Sequence, residues 1–131
     1  MGYHFGVRQT KHYSAIEAAI DQSPGPLSAD EVRGLLMETG IGIATVYRAL
    51  KNGVTNGRFR AVQLPDGPTR YESAGLPHHH HFECLTCHRV FDVPGCPGRI
   101  ERLAPEGFDV QSHDLTLYGK CADCTEPGAA A

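Results

Sequence analysis

No stretch of this 131-residue sequence approaches the roughly 20 apolar residues that span a bilayer as a helix, which argues against a helical integral membrane protein. The first residues, MGYHFGVRQTKHYS, lack the apolar centre of a secretory signal. No internal repeat is present, so a repeat array is set aside. A large charge of one sign is also missing. Twelve Lys/Arg stand against 15 Asp/Glu, a net charge of −3, so bulk charge alone does not mark a nucleic-acid binder. No His-Glu-x-x-His motif supplies the paired ligands and general base of a zinc hydrolase. These absences lead to an expectation of a cytoplasmic, non-enzymatic protein with no membrane partner, in a compartment that keeps thiols reduced.

The length suits one ordinary domain or two very small ones. Charge is spread unevenly. Residues 1–70 carry eight Lys/Arg and six Asp/Glu, a balance of +2, whereas residues 71–131 carry four and nine, a balance of −5. Two lobes with different partners are expected. Small lobes bury little apolar surface, so metal or self-association often supplements their stability.

What the chain does have is ligand chemistry. Cys84-x-x-Cys87 and Cys121-x-x-Cys124 are two matched pairs. Each can wrap a tight knuckle around half of a tetrahedral ion, and four thiolates make a closed structural zinc site rather than a catalytic one. Just before the first pair stand four histidines, His78, His79, His80 and His81. On an extended segment successive side chains point to opposite faces, so His78 and His80 share one face and His79 and His81 the other. One run of histidines can then serve two metal sites, each completed from elsewhere. Glu72, Asp92, Cys96, Glu101 and His113 are the candidates. A solvated strand edge without metal is the plainer alternative.

Local signals divide the remainder. Ile16, Ala19 and Ile20 recur at helical spacing, and DQSPGP (21–26) ends that helix. Ser28-Ala29-Asp30-Glu31 is a capping box opening a second helix, with Val32, Leu35 and Leu36 as its apolar stripe and Gly40 as a stop. A third helix is expected over 43–52, with Val46 and Leu50 inward. Strands at 58–64 and 69–72 flank the turn Pro65-Asp66-Gly67, a hairpin. Three helices and a hairpin follow the order of a winged helix-turn-helix, and an unspecialised small α+β lobe fits the same order. Further strands are expected at 80–84, 89–93 and 110–117, with a short helix over 97–103. The divisions expected are 1–72, a hinge at 73–77, a metal-binding lobe at 78–124 and an unstructured tail at 125–131.

Taken in order, several segments resemble the ferric uptake regulator family of bacterial metal-dependent repressors. They are Arg8-x-Thr10 with Ile16, the SADE start, IGIATVYRAL (41–50), Arg70-Tyr71-Glu72, HHHHFECLTC (78–87), Gly107-Phe108, His113-x-Leu115-x-Leu117-Tyr118-Gly119, and Cys121-x-x-Cys124. The resemblance implies an α+β chain: a winged-helix DNA-binding lobe hinged to a small α/β dimerisation lobe with a four-cysteine structural zinc. It implies a homodimer that binds a palindromic operator in duplex DNA when loaded with a second, exchangeable divalent metal (iron, zinc or manganese). Thr45, Tyr47 and Arg48 match the recognition helix, and Arg8 matches a basic residue that reaches the minor groove or backbone. Glu72, His79, His81 and Asp92 match the sensing site bridging the lobes. His78, His80 and His113 match a second site, with Glu101 or Cys96 as its further ligand.

The match has departures. Pro26 or Leu27 stands where the family often has a histidine completing the sensing site, with His4 and His12 as possible replacements. Tyr13 replaces a usual arginine, and Gly53 a usual apolar residue. Asp92 is the residue that the family's peroxide sensors use where iron sensors often have glutamate. A histidine-rich zinc carrier accounts for residues 78–124 but leaves ATVYR without a role.

Overall fold

The computed structural model describes residues 3–125, with side chains described from residue 12 onward. The chain forms two compact units, Met1–Leu76 and Pro77–Ala131.

The first unit is helical with a small sheet. Helix α1 (Tyr3–Gln22) and the short strand β1 (Leu27–Ser28) precede α2 (Ala29–Leu35). The expected capping box is present: Glu31 N–H donates to Ser28 Oγ at 3.1 Å, and Ser28 N–H donates to Glu31 Oε1 at 3.0 Å. Such caps contribute about 1 kcal/mol. Buried Arg70 reaches the same carboxylate, with Nη1 2.6 Å from Glu31 Oε1, and also donates to the Pro26 carbonyl at 3.3 Å. One guanidinium thus fastens the sheet to the start of α2.

Helix α3 (Ile43–Thr55) extends three residues beyond its expected end. It is followed by the hairpin β2 (Phe59–Val62) and β3 (Arg70–Ser73), in an antiparallel sheet of order β1-β3-β2. Ile16, Ile20, Val32, Ile41, Val46, Leu50, Phe59 and Tyr71 make the core. The α2 stripe is narrower than its sequence suggested: Val32 is buried and Leu36 half-buried, but Leu35 is 63% exposed. Residues 32 and 36 lie one turn apart on one face, and α2 ends at Leu35, so that side chain turns to solvent. Gly40 caps the 3-10 turn Met37–Thr39 with φ 76°, a left-handed backbone that glycine adopts without strain. Gly53 is required by packing: the Phe59 ring occupies the space its side chain would fill.

The second unit is a sheet of order β5-β4-β6, built from β4 (His80–Cys84), β5 (Val90–Val93) and β6 (Thr116–Gly119), with α4 (Ala122–Thr125) after it. β4 pairs antiparallel with β5, placing His81 opposite Asp92, and parallel with β6, placing Cys84 opposite Gly119. Two expectations are corrected here. The strand expected over 110–117 spans only Thr116–Gly119, because 110–115 crosses over to reach a parallel partner. The helix expected over 97–103 is a 3-10 turn at Ile100–Leu103, because Gly98 and Arg99 adopt φ of 72° and 53° and an α-helix cannot start through them. Apolar burial in this unit is sparse: Cys84, Val90 and Cys121 are its buried hydrophobic residues among those described. No helix of the described residues is long and apolar enough to cross a membrane.

Candidate metal centres

The four-cysteine group follows from the sheet topology. Cys84 ends β4 and Cys121 follows β6, so the parallel pairing brings both Cys-x-x-Cys pairs to the same end of the sheet. None of the five cysteines is in a disulfide. The four Sγ atoms all lie within 4.8 Å of one another, and Cys87 Sγ is 3.8 Å from Cys121 Sγ. A tetrahedron with Zn–S bonds of about 2.3 Å has edges of about 3.8 Å, so the spacing fits a structural zinc. His88, at φ 66°, closes the first knuckle by donating its N–H to the Cys84 carbonyl at 2.8 Å.

The environment favours thiolates unequally. The backbone N–H of Cys87 donates to Cys84 Sγ at 3.4 Å, and that of Cys121 does so at 3.3 Å. The Cys87 amide, assisted by the Cys121 amide, outweighs burial and holds the Cys84 thiol down to about 5. Burial pulls Cys87 upward, but the Arg89 guanidinium, donating to its sulfur at 3.2 Å, carries the net shift downward. Cys124 is pushed up to about 12, by burial first and then by its three neighbouring thiols. Arg89 also donates to Cys121 Sγ at 3.5 Å and to Asp123 at 3.0 Å. Its positive charge offsets part of the dianion that four thiolates make around a divalent ion. This residue escaped the sequence reading; the only signal was a basic side chain two positions after Cys87.

The histidines fall into two groups, although only His80 and His81 lie on β4 and His78 and His79 precede it. His79 and His81 lie together, ring centroids 4.9 Å apart, and their Nε2 atoms are 3.5 and 3.8 Å from Asp92 Oδ1. His79 Nδ1 is 2.7 Å from the Pro77 carbonyl. Donation there leaves the Nε2 lone pair toward Asp92, the arrangement ligating imidazoles ordinarily show. In the other group His78 meets His80 and His113 edge to face, and His80 and His113 are tilted by 31°, with centroids 4.6 to 5.0 Å apart. Cys96 joins them, its Sγ 3.3 Å from His80 Nε2 and 3.4 Å from His113 Nε2. Glu101 is exposed on the 3-10 turn and is not in this group. Burial, reinforced by His78 and His113, lowers the His80 pKa, so this nearly inaccessible ring favours its neutral form. The Leu115 N–H donates to its Nδ1 at 3.2 Å, which places the proton of the neutral ring on Nε2.

Glu72 belongs to the first unit. It lies buried on β3 and accepts from Arg60 Nη2 at 2.7 Å and Nε at 3.0 Å. Pro26 is fully buried, and His12 is exposed on α1. His4 and Arg8 lie on α1 with side chains outside the described residues. On α3, Val46 and Leu50 are fully buried while Tyr47 is 46% exposed and Arg48 is exposed. Arg48 Nη2 donates to Thr45 Oγ1 at 3.1 Å, so these polar groups share an outward face. Tyr13, in place of the family's arginine, packs toward Phe59 with centroids 6.1 Å apart.

Comparison with known proteins agrees with this arrangement. The family description "Ferric uptake regulator family" matches residues 4–118. A ferric uptake regulation protein of Neisseria meningitidis is 35% identical over 107 residues, covering 78% of this chain and 74% of that protein. A zinc uptake regulation protein of Mycobacterium tuberculosis is 31% identical over 126 residues, covering 91% and 95%. The structure of an iron-containing ferric uptake regulator from Francisella tularensis superimposes with a TM-score of 0.65 at 30% identity, covering 87% of this chain and 91% of that one. Sequence and fold match along most of the length, and the chain belongs to the ferric uptake regulator family of metal-responsive regulators.

Proposed function

We propose that this protein is a transcriptional repressor that binds a palindromic DNA operator as a homodimer when an exchangeable divalent metal is loaded. One observation carries the reading. The same chain combines separate groups of metal-ligating side chains in its second unit with an α3 that buries Val46 and Leu50 and turns Thr45, Tyr47 and Arg48 outward.

The roles are those that family membership implies, and the chemistry of each group suits them. Cys84, Cys87, Cys121 and Cys124 hold a permanent zinc that organises the second unit. His79, His81 and Asp92 form the sensing set, and Glu72 is the first unit's contribution across a hinge at 73–77. An ion bound there would supply fixed ligand directions, so Glu72 restricts the hinge when it shares that ion. His78, His80 and His113 form the second set. Nitrogen and oxygen donors suit iron, zinc and manganese alike, so the ion sensed follows availability and site geometry. Arg48 reads a guanine edge or holds a phosphate, Tyr47 packs on a thymine methyl, and Arg8 contacts the backbone or minor groove. Self-association is supported by the exposed apolar side chains Phe108, Leu117 and Tyr118 on the second unit. Paired recognition helices would then meet half-sites one helical turn apart.

The test starts from duplexes selected out of a random-sequence pool by the metal-loaded protein. Mobility shift should be lost on removing the exchangeable ion and should weaken with salt. The double variant Tyr47→Ala/Arg48→Ala should bind at least roughly thirtyfold more weakly, since two base contacts contribute about 1–3 kcal/mol each. Its zinc content and self-association should be unchanged. A double variant that shifts the selected duplex like wild type would overturn the recognition-helix assignment. A metal-binding protein that selects no duplex would overturn the function.

A further inference from the structure

We propose that Cys96 is the fourth ligand of the His78/His80/His113 group, and that its sulfur makes this site prefer zinc to manganese or ferrous iron. The inference rests on the reading of that group as a metal site and adds the donor that sets its selectivity.

Geometry is the first support. The Sγ of Cys96 lies 3.3 and 3.4 Å from the Nε2 atoms of His80 and His113, and the four ligand atoms of the group all lie within 4.8 Å of one another. A tetrahedral ion with Zn–S of about 2.3 Å and Zn–N of about 2.0–2.1 Å sets sulfur about 3.6 Å from each nitrogen. The observed separations are a few tenths of an ångström shorter, a difference that small side-chain rotations close. Glu101, the other candidate, is exposed on its 3-10 turn and outside the group.

Local sequence is the second support. Cys96 sits in Val93-Pro94-Gly95-Cys96-Pro97-Gly98, directly after β5. Pro97 biases Cys96 toward extended backbone, and Pro94 and Pro97 both have fixed φ. The segment therefore presents its thiol with little conformational freedom left to lose on binding. His80, 1% exposed, aims Nε2 at that sulfur from a ring positioned by the Leu115 amide.

Three imidazoles and one thiolate form a closed set of borderline and soft donors. Zinc accepts that set tetrahedrally, whereas manganese and magnesium favour oxygen and higher coordination numbers. An exposed thiol in this position also gives the site a spectroscopic label that neither the sensing set nor Glu101 can mimic.

The experiment uses the full chain with its four-cysteine group kept filled with zinc, titrated with cobalt(II) as the probe. Wild type should develop a thiolate-to-cobalt charge-transfer band as cobalt enters. Cys96→Ser should still take up cobalt through the histidines but without that band, and Glu101→Ala should keep it. In competition, Cys96→Ser should lose zinc affinity by at least the roughly 10–100-fold that even an outer-shell change brings, with manganese affinity nearly unchanged. Cobalt uptake in which His113→Ala weakens binding but wild type shows no charge-transfer band overturns the Cys96 assignment and leaves the second set standing. A band that persists in Cys96→Ser has the same consequence. No cobalt uptake sensitive to His113→Ala overturns both the proposal and the second set.

Discussion

Gly53→Ala sets two well-characterised effects against each other inside α3, the helix assigned to DNA reading. Alanine is the better helix former, by about 0.8–1.0 kcal/mol in a helix interior. Packing opposes it. A Cβ at position 53 would lie 2.2 Å from Cδ2 of Phe59, 2.6 Å from Cε2 and 3.0 Å from Cγ. Nonbonded carbons settle at about 3.5–4.0 Å, so the ring must withdraw by more than about 1 Å. It has little room to do so. Phe59 is 2% exposed and belongs to the same buried cluster as Ile16, Val46 and Leu50, with Tyr13 packed against it. Overpacking a tight core costs about 1–3 kcal/mol, and the depth of this overlap puts the cost in the upper half of that range. The net expectation is about 1–2 kcal/mol of destabilisation, which for a unit of this size lowers its melting temperature by roughly 5–15 °C. Thermal and urea unfolding of the zinc-filled full chain, followed by hydrogen exchange of α3 amides, would measure it. Phe59→Leu in the same background should recover part of the loss. A Gly53→Ala protein that melts at or above the wild-type temperature would refute the argument and show that Phe59 is free to move.

Stripping the structural zinc with a strong chelator should unfold the second unit while α1 and α3 retain their exchange protection. The reason is that Cys84, Val90 and Cys121 are nearly all of its buried apolar residues among those described; uniform loss across both units would contradict this. Zinc affinity at the four-cysteine group should rise with pH across the neutral range. Cys124, pushed up to about 12, still holds a proton there and zinc must displace it. Cys84, held at about 5, is already a thiolate and adds to the pH dependence only under acid conditions near that value. Binding heats that differ between buffers of different ionisation enthalpy would record the released proton, and a pH-independent affinity would refute the assignment. With the four-cysteine group kept filled with zinc and no other metal added, the second unit should lose stability as pH falls below the usual histidine range. The His80 pKa is lowered on folding, so the unfolded chain takes up that proton first, and the contribution is present above about 6.5. Loading the second set through His80 Nε2 should move the ring proton to Nδ1 and release the Leu115 amide, which hydrogen exchange at that one residue would detect.

Much of this was legible in the sequence because the signals were local. Ser28 and Glu31 cap α2 through groups three residues apart, and the adjacency of four histidines leading into β4 is enough to suggest the pairs His78/His80 and His79/His81. The two cysteine pairs specify a tetrahedral group by residue type and spacing alone. What the sequence left open depends on chain path. Between Pro94 and Leu115 no periodicity marks where β6 begins, and nothing in the sequence separates Cys96 from Glu101 as a ligand. Arg89 beside Cys87 and Cys121, and Arg70 beside Glu31, are contacts between distant segments that spacing cannot reveal. Leu35 looked like core because its residue type and spacing suited a helix longer than the one that forms.

Strand β4 contributes His80 to one ligand group, His81 to another and Cys84 to the third. Occupancy of any one group would narrow the motion of the backbone on which the other two depend, so the three affinities should be linked, each pair with equal strength in both directions. Filling should follow a hierarchy, with the thiolate group first and each later step tighter than it would be on an empty strand. A defect at Cys84 would then surface as weakened binding at histidines it never touches.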